Sequence, residues 1–257
     1  MALTAPQAGP HAVVTTAARA PGGEEAPGHA WRIATYNIHG GIATPHAVDA
    51  GRIAAVIAEL DADVVALQEV PLGGRDAPDV LAALAAASGM HAVAGPTIDT
   101  HSRRYGNAVL SRFPVLAART LDLSVAGREP RGALDADLRI GGAPVRVVAC
   151  HLGLSAAERS EQVRRLLASF DTGRMPVILL GDINEWFVHG RALRALTSHF
   201  RRAPALRTFP TVCPLFALDR IWIHPGEWLV EVSAHRSALA RRASDHYPLV
   251  ARMRAPG

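Results

Sequence analysis

The residues able to do chemistry in this chain sit where apolar runs stop. "LLGDINEW", Leu179–Trp186, is apolar until it reaches Asp182, Asn184 and Glu185. Asp182 and Asn184 are two apart, so on an extended backbone their side chains share one face. "DVVALQEV" closes on Glu69, "APVRVVACHLGL" reaches His151, "WRIATYNI" breaks at Asn37, "LDRIWI" carries Asp219, and "SDHYP" sets Asp245 beside His246. Carboxylates, amides and imidazoles are the groups that hold hard cations, move protons and donate to anions. Each has an ordinary alternative: Asn37 suits a turn, Glu69 and Asp219 suit a solvated strand edge, and His151 suits a hydrogen-bonded core. What sets them apart is recurrence. Asn37, Glu69, His151, Asp182, Asn184, Asp245 and His246 all fall at or beyond the ends of β-like runs. Glu185 and Trp186 read as turning away from the strand, Glu185 with a helix-start or surface role.

The elements that must position these groups are legible in outline. "TPHAVDAGRIAAVIAEL" predicts an amphipathic helix with Thr44 as N-cap, Pro45 at the first helical position, and Ile53, Val56, Ile57 and Leu60 on one face. "SAAERSEQVRRLLASFDTG" predicts a second helix, with capping-box spacing at Ser155 and Glu158, a stripe of Val163, Leu166, Leu167 and Phe170, and a stop at Gly173. "MPVILLGDIN", "NAVLSRF", "RGALDADLRI", "LDRIWI", "LVEVSAH" and "YPLVARM" read as further strands. Two halves, 31 to 140 and 143 to 253, each carry a strand–helix–strand section and β meanders. That pattern predicts two packed sheets with helices outside.

Composition bounds the reading. The 257 residues are 49% hydrophobic and 19% charged, ordinary for a globular domain with a substantial core. Net charge is +4 with no lysine at all, and the arginines form no dense stripe of the kind a dedicated nucleic-acid binder carries. The pairs Arg103/Arg104 and Arg241/Arg242 precede Tyr105 and Ser244, at positions where they could rim an anionic cleft; Arg164/Arg165 and Arg201/Arg202 read as solvated. Cys150 and Cys213 have no metal-type spacing and read as two small buried residues. Residues 1–30, rich in Ala, Pro and Gly, read as a disordered tail ahead of a domain spanning 31–254. They lack signal-peptide character, and no apolar run reaches the ~18 residues of a spanning helix, so a cytoplasmic enzyme, monomeric by default, is expected.

The ordered set "TYNIHG", "LQEV", "YGNAVLSRFP", "PRGAL", "CHLGL", "GDINEW", "LDRIW" and "SDHYP" resembles the endonuclease/exonuclease/phosphatase superfamily of metal-dependent phosphoesterases, across residues 31 to 253. The resemblance implies an α/β (α+β) fold of DNase I type: a four-layer sandwich of two mixed β-sheets flanked by helices, with the site where the sheet edges meet. It implies Mg²⁺, with Mn²⁺ as the alternative ion, on Glu69 supported by Asn37 and Asp245. Carboxylate oxygen suits that ion, and Cys/His clustering for zinc is absent. It implies that Asp219 orients His246, taken here as the base with Asp182 orienting the water. His151 and Asn184 would donate to the non-bridging oxygens, and Arg131 is either a phosphate clamp or an exposed strand-start arginine. The expected substrate is a small or lipid phosphodiester. A nuclease acting on DNA or RNA is the alternative, and an inactive binding scaffold the third reading.

Overall fold

Nearly every strand near the site is apolar on both of its faces, and the architecture explains why. A computed structural model describes residues 14–15, 30–43, 47–200 and 204–254. The strands are β1 (Val14–Thr15), β2 (Ala30–Asn37), β3 (Ile42–Ala43), β4 (Ala47–Val48), β5 (Val64–Pro71), β6 (His91–Asp99) and β7 (Arg104–Ser111), then β8 (Val115–Asp122), β9 (Gly132–Ile140), β10 (Ala143–His151), β11 (Val177–Asp182), β12 (Asp219–His224), β13 (Leu229–Ala234) and β14 (Leu249–Arg254). The helices are α1 (Ala50–Leu60), α2 (Val80–Ser88), α3 (Ala156–Ala168), α4 (Arg191–Phe200) and the short α5 (Ala240–Ala243).

One sheet runs β1-β6-β7-β5-β2-β14-β13 and the other β12-β11-β10-β9-β8, with β3 and β4 forming a separate small hairpin. Both large sheets are mixed: β2 pairs parallel with β5, and β10 parallel with β11. Successive residues of each central strand feed different layers. In β5, Val64 and Ala66 join the core between the sheets, while Val65 and Leu67 face the core under α1 and α2. In β11, Ile178 and Leu180 join the core between the sheets, while Val177 and Leu179 pack with α3 and α4. Helices, sheet, sheet and helices give the four layers expected, and burial on both faces explains the unbroken apolar runs.

Several local expectations change. The first helix begins at Ala50, capped by Asp49, whose side chain accepts the Arg52 N–H; Thr44 and Pro45 lie outside the described residues. Its predicted stripe of Ile53, Val56, Ile57 and Leu60 is buried. Ser155 does cap α3, accepting the Glu158 N–H, but that helix ends at Ala168 against Ser169, short of Gly173. Helices α2 and α4 and strands β6 and β8 are additions. Cys150 is buried whereas Cys213 is exposed, so the reading of both as buried holds for one. The expected N-terminal tail falls mostly outside the described residues; Val14–Thr15 within it pairs antiparallel with Val93 and Ala92 of β6. Among the described residues no helix is long and apolar enough to cross a membrane.

Candidate active site

Strand register builds much of the site directly. His151 of β10 is the cross-strand partner of Asp182 of β11, which in turn partners Asp219 of β12. Gly181 allows this close pairing: at φ +149 its position faces the Cys150 carbonyl so tightly that a Cβ has no room. In the other sheet Asn37 partners Gln68, which brings Glu69 alongside. A register irregularity between Leu67 and Val70 accompanies a positive φ of 60 at Glu69, and such a bulge re-aims the side chain.

The two halves meet at Asn37. Its Nδ2 donates to Glu69 Oε1 and to Asp182 Oδ2, each at 3.0 Å, across 145 residues of sequence in the second case. Its Oδ1 accepts the His39 N–H at 3.0 Å. Asn37 therefore bridges the two carboxylates through its amide nitrogen, while its carbonyl accepts the His39 N–H. Glu69 Oε2 also accepts from the Tyr105 hydroxyl at 3.0 Å. Burial first, then the charge of Glu69, pushes the Tyr105 phenol well above its usual range, so it stays protonated and donating.

Asp182 lies at the centre. Its Oδ1 accepts the Asn184 N–H at 2.9 Å, while Oδ2 lies 3.5 Å from His151 Nε2 and 3.7 Å from His246 Nε2. His246 Nδ1 faces Asp219 Oδ2 at 2.9 Å, and the same oxygen accepts the Thr208 hydroxyl at 2.6 Å. Burial alone would lower the His246 pKa, but Asp219, with help from Asp182 and Asp245, outweighs it and raises the value to about 10. His246 is thus an imidazolium held by carboxylates. Phe209 covers it, ring centroids 4.8 Å apart.

His151 behaves oppositely. Burial, reinforced by Arg131 and His246 and opposed by Asp182, lowers it to about 3, so it is neutral. Arg131 Nη1 donates to His151 Nδ1 at 3.0 Å, and a proton on Nε2 then faces Asp182. Arg131 is buried, which removes its exposed alternative; it pairs with Glu129 at 2.7 Å, and its Nε has no partner among the described residues. A small cavity here is lined by Glu69, Tyr105, Asn107, Glu129, Arg131 and His151. Asn184, at φ 53, donates its amide to the Leu152 carbonyl at 2.9 Å and lies against His151, with Nδ2 3.0 Å from Nε2. The bond to Leu152 ties the loop after β11 to the end of β10.

Two groupings bear on a cation. Asp245 Oδ2 and Glu69 Oε2 lie 3.7 and 3.8 Å from His39 Nδ1, and both carboxylates are partly open to the cleft. Carboxylate oxygens suit a hard divalent ion that keeps waters and a substrate oxygen in its remaining positions, and Glu69 would offer them alongside its bonds from Asn37 and Tyr105. Asp182, Asp219 and His246 also bring donor atoms within 4.8 Å of one another among the described residues. In that second cluster Asp219 Oδ2 serves both His246 and Thr208, while its buried Oδ1 has no hydrogen-bond partner among the described residues.

All of Asn37, Glu69, His151, Asp182, Asn184, Asp219, Asp245, His246 and Arg131 thus gather in one cleft. Sequence reasoning missed Tyr105, Thr208 and His39. Tyr105 was visible as the first residue of "YGNAVLSRFP" but was not singled out. Glu185 is corrected outright: it is buried, and its Oε1 accepts Arg159 Nη2 at 2.9 Å.

The comparisons agree with this fold. Residues 34–246 match the model of the Endonuclease/Exonuclease/phosphatase family. The uncharacterized protein YbhP of Escherichia coli (strain K12) is 32% identical over 249 residues, covering 86% of this chain and 95% of that one. An endonuclease/exonuclease/phosphatase structure from Beutenbergia cavernae superposes with a TM-score of 0.71 at 27% identity, covering 89% of this chain and 72% of that one. A mannosyl-6-phosphatase from Bacteroides thetaiotaomicron shares the fold, with a TM-score of 0.69 at 18% identity over 87% of this chain and 99% of that one. With most of its length matched and the site residues assembled in one cleft, the chain belongs to the Endonuclease/Exonuclease/phosphatase family, whose members are hydrolytic enzymes.

Proposed function

We propose that this protein hydrolyses a phosphodiester by direct attack of water, with a divalent cation, Mg²⁺ or Mn²⁺, held by Glu69 and Asp245. The observation that carries the reading is Asp182: a buried carboxylate whose Oδ2 lies 3.5 Å from His151 Nε2 and 3.7 Å from His246 Nε2, with burial disfavouring the charged form of the first imidazole and Asp219 favouring that of the second. An imidazolium has no lone pair with which to accept a proton, so the base is assigned to Asp182 rather than to His246, reversing the roles read from sequence. Asp182 takes the proton as the water oxygen bonds to phosphorus and the P–O bond to the leaving group breaks. His246 and Arg131 supply the positive charge and donors that stabilise the non-bridging oxygens, while Tyr105 holds Glu69. The cation, when bound, would polarise a phosphoryl oxygen and lower the pKa of a bound water. Asn37 keeps Glu69 and Asp182 in register.

A small or lipid phosphodiester is favoured over duplex nucleic acid, because the arginines near the cleft are local rather than spread along a groove. The test is a hydrolysis panel of a bis-aryl phosphate, phospholipid, single-stranded DNA, plasmid and RNA, with Mg²⁺ and again after chelation. Turnover of a diester that chelator abolishes supports the reading. Full-rate turnover by metal-stripped protein would overturn the metal assignment.

A further inference from the structure

Ten large hydrophobic residues are exposed among the described residues, and six of them fall in three loops beside the catalytic cleft: Leu154, Trp186, Phe187, Val188, Val212 and Leu215. Phe187, Val188 and Val212 are 73%, 75% and 70% exposed, values at which no part of the fold covers them. The loops are physically joined. Trp186 packs edge-on against Phe216 at 4.6 Å and Phe209 at 5.8 Å, and Phe209 lies on His246. Arg159 Nη1 donates to the Leu154 carbonyl while its Nη2 pairs with Glu185, so the loop after β10 is tied to the loop after β11. Six exposed apolar side chains on three joined loops mark a binding surface.

Its charge says what it binds. Residues 186–218 contain five arginines and no aspartate or glutamate. Arg191, Arg194 and Arg207 are exposed within it, and the Arg241–Arg242 turn adjoins it through the Thr211 hydroxyl, which donates to the Arg241 carbonyl at 3.2 Å. Of the two acids that bound the segment, Glu185 is neutralised by Arg159 and Asp219 is fully buried. Apolar side chains flanked by arginines, with no acid in the segment itself and Asp245 at the cleft side against Thr211, match an anionic lipid interface, where tails accept the former and headgroups the latter. Stacking on bases would require aromatic faces. Four of the six residues are aliphatic, and Trp186 is packed against Phe209 and Phe216.

We infer that this rim seats the enzyme on an anionic phospholipid surface, so that the phosphodiester it cleaves is presented by a lipid aggregate. The inference rests on the phosphodiesterase reading above and narrows its substrate class.

The test compares full-length wild type with the double variant Phe187→Asp/Val188→Asp, neither residue touching the catalytic groups. Sedimentation with phosphatidylcholine vesicles containing phosphatidylglycerol is measured alongside hydrolysis of a soluble bis-aryl phosphate. The expected result is vesicle binding by wild type, weaker on pure phosphatidylcholine, and a loss of about tenfold or more in the variant. Aryl phosphate hydrolysis should stay within about twofold, which also shows that the variant folds. A polarity-sensitive dye on exposed Cys213, with Cys150 buried, should shift to the blue on those vesicles alone. Wild type that hydrolyses the aryl diester yet binds no vesicles overturns the inference and leaves the phosphodiesterase reading standing. Equal vesicle binding by the variant overturns the assignment of the rim. Rim-dependent binding of single-stranded DNA, or rim-dependent self-association, in place of vesicle binding overturns it in favour of that occupant. Rim-dependent vesicle binding without hydrolysis of any diester would instead keep the surface and sink the phosphodiesterase reading.

Discussion

Replacing Glu185 with alanine should be among the most destabilising single changes to a charged residue in this protein. Arg159 and Glu185 have side chains only 2% exposed, and their contact is bidentate: Nη2 to Oε1 at 2.9 Å and Nε to Oε2 at 3.3 Å. Nη1 also donates to the carbonyls of Leu154 at 2.6 Å and Gly153 at 3.2 Å, and Glu185 Oε1 accepts the Phe187 N–H at 3.3 Å. Glu185→Ala leaves the guanidinium buried with two carbonyls and no counter-charge, which costs about 3–5 kcal/mol. At roughly 2–4 °C per kcal/mol for a domain of this size, the melting temperature should fall by roughly 6–20 °C. Removing both partners, in Arg159→Leu/Glu185→Leu, should cost less than Glu185→Ala alone, because no orphaned charge remains. Urea denaturation of the two single variants and the double variant supplies the cycle. A cost below about 1 kcal/mol for Glu185→Ala, the level of an exposed pair, would refute the reasoning.

Other changes probe the cleft. Asp182→Asn and His246→Ala should each lower kcat by on the order of 10² or more while leaving a cooperative melt; near wild-type kcat in either would remove that residue from the chemistry. Gly181→Ala puts a Cβ against the Cys150 carbonyl and should destabilise the fold by several kcal/mol or, on the order of the worst core substitutions, prevent folding; a melting temperature like wild type would contradict the close pairing of β10 and β11. His151 has a folded-state pKa of about 3 against 6.5 unexposed to these neighbours, so the unfolded chain binds more protons between those values. Its contribution to stability is fully present above pH 6.5 and is lost as pH falls toward 3. Wild type should therefore lose stability on acidification more steeply than His151→Gln, and identical slopes would show that the histidine is not held neutral.

What the sequence showed and what it hid follow one physical division. β2, β5, β10 and β11 were legible because burial on both faces makes an unbroken apolar run, and the polar residue ending each run stands out against it. α2 was not, because its Ala-rich stretch from Val80 to Ser88 offers little polar contrast to reveal a face. β8 was not, because it is an edge strand in which most positions are half-buried or exposed. The membership of the site was legible, but the wiring was not. That Asn37 turns its amide nitrogen rather than its oxygen toward Glu69 and Asp182 depends on the His39 N–H, a tertiary fact. Glu185 was misread because its partner lies 26 residues away on a helix whose other arginines, Arg164 and Arg165, do face outward.

Strand β14 enters the sheet between β2 and β13, with Arg254 opposite Ala30 and Leu249 opposite Thr35. His246 precedes that strand by three residues, so it reaches Asp219 only when β14 has docked against the strand that opened the domain. During synthesis, then, Asn37, Glu69 and Asp182 leave the ribosome long before His246, and the cleft is assembled only once β14 has emerged. The same adjacency makes the domain a candidate for circular permutation: residues 30 and 254, already neighbours, could be joined by a short linker, and new ends opened in the exposed turn at residues 126–130 between β8 and β9. In such a permutant the histidine would be made before Asn37, reversing the order in which the two halves of the cleft appear.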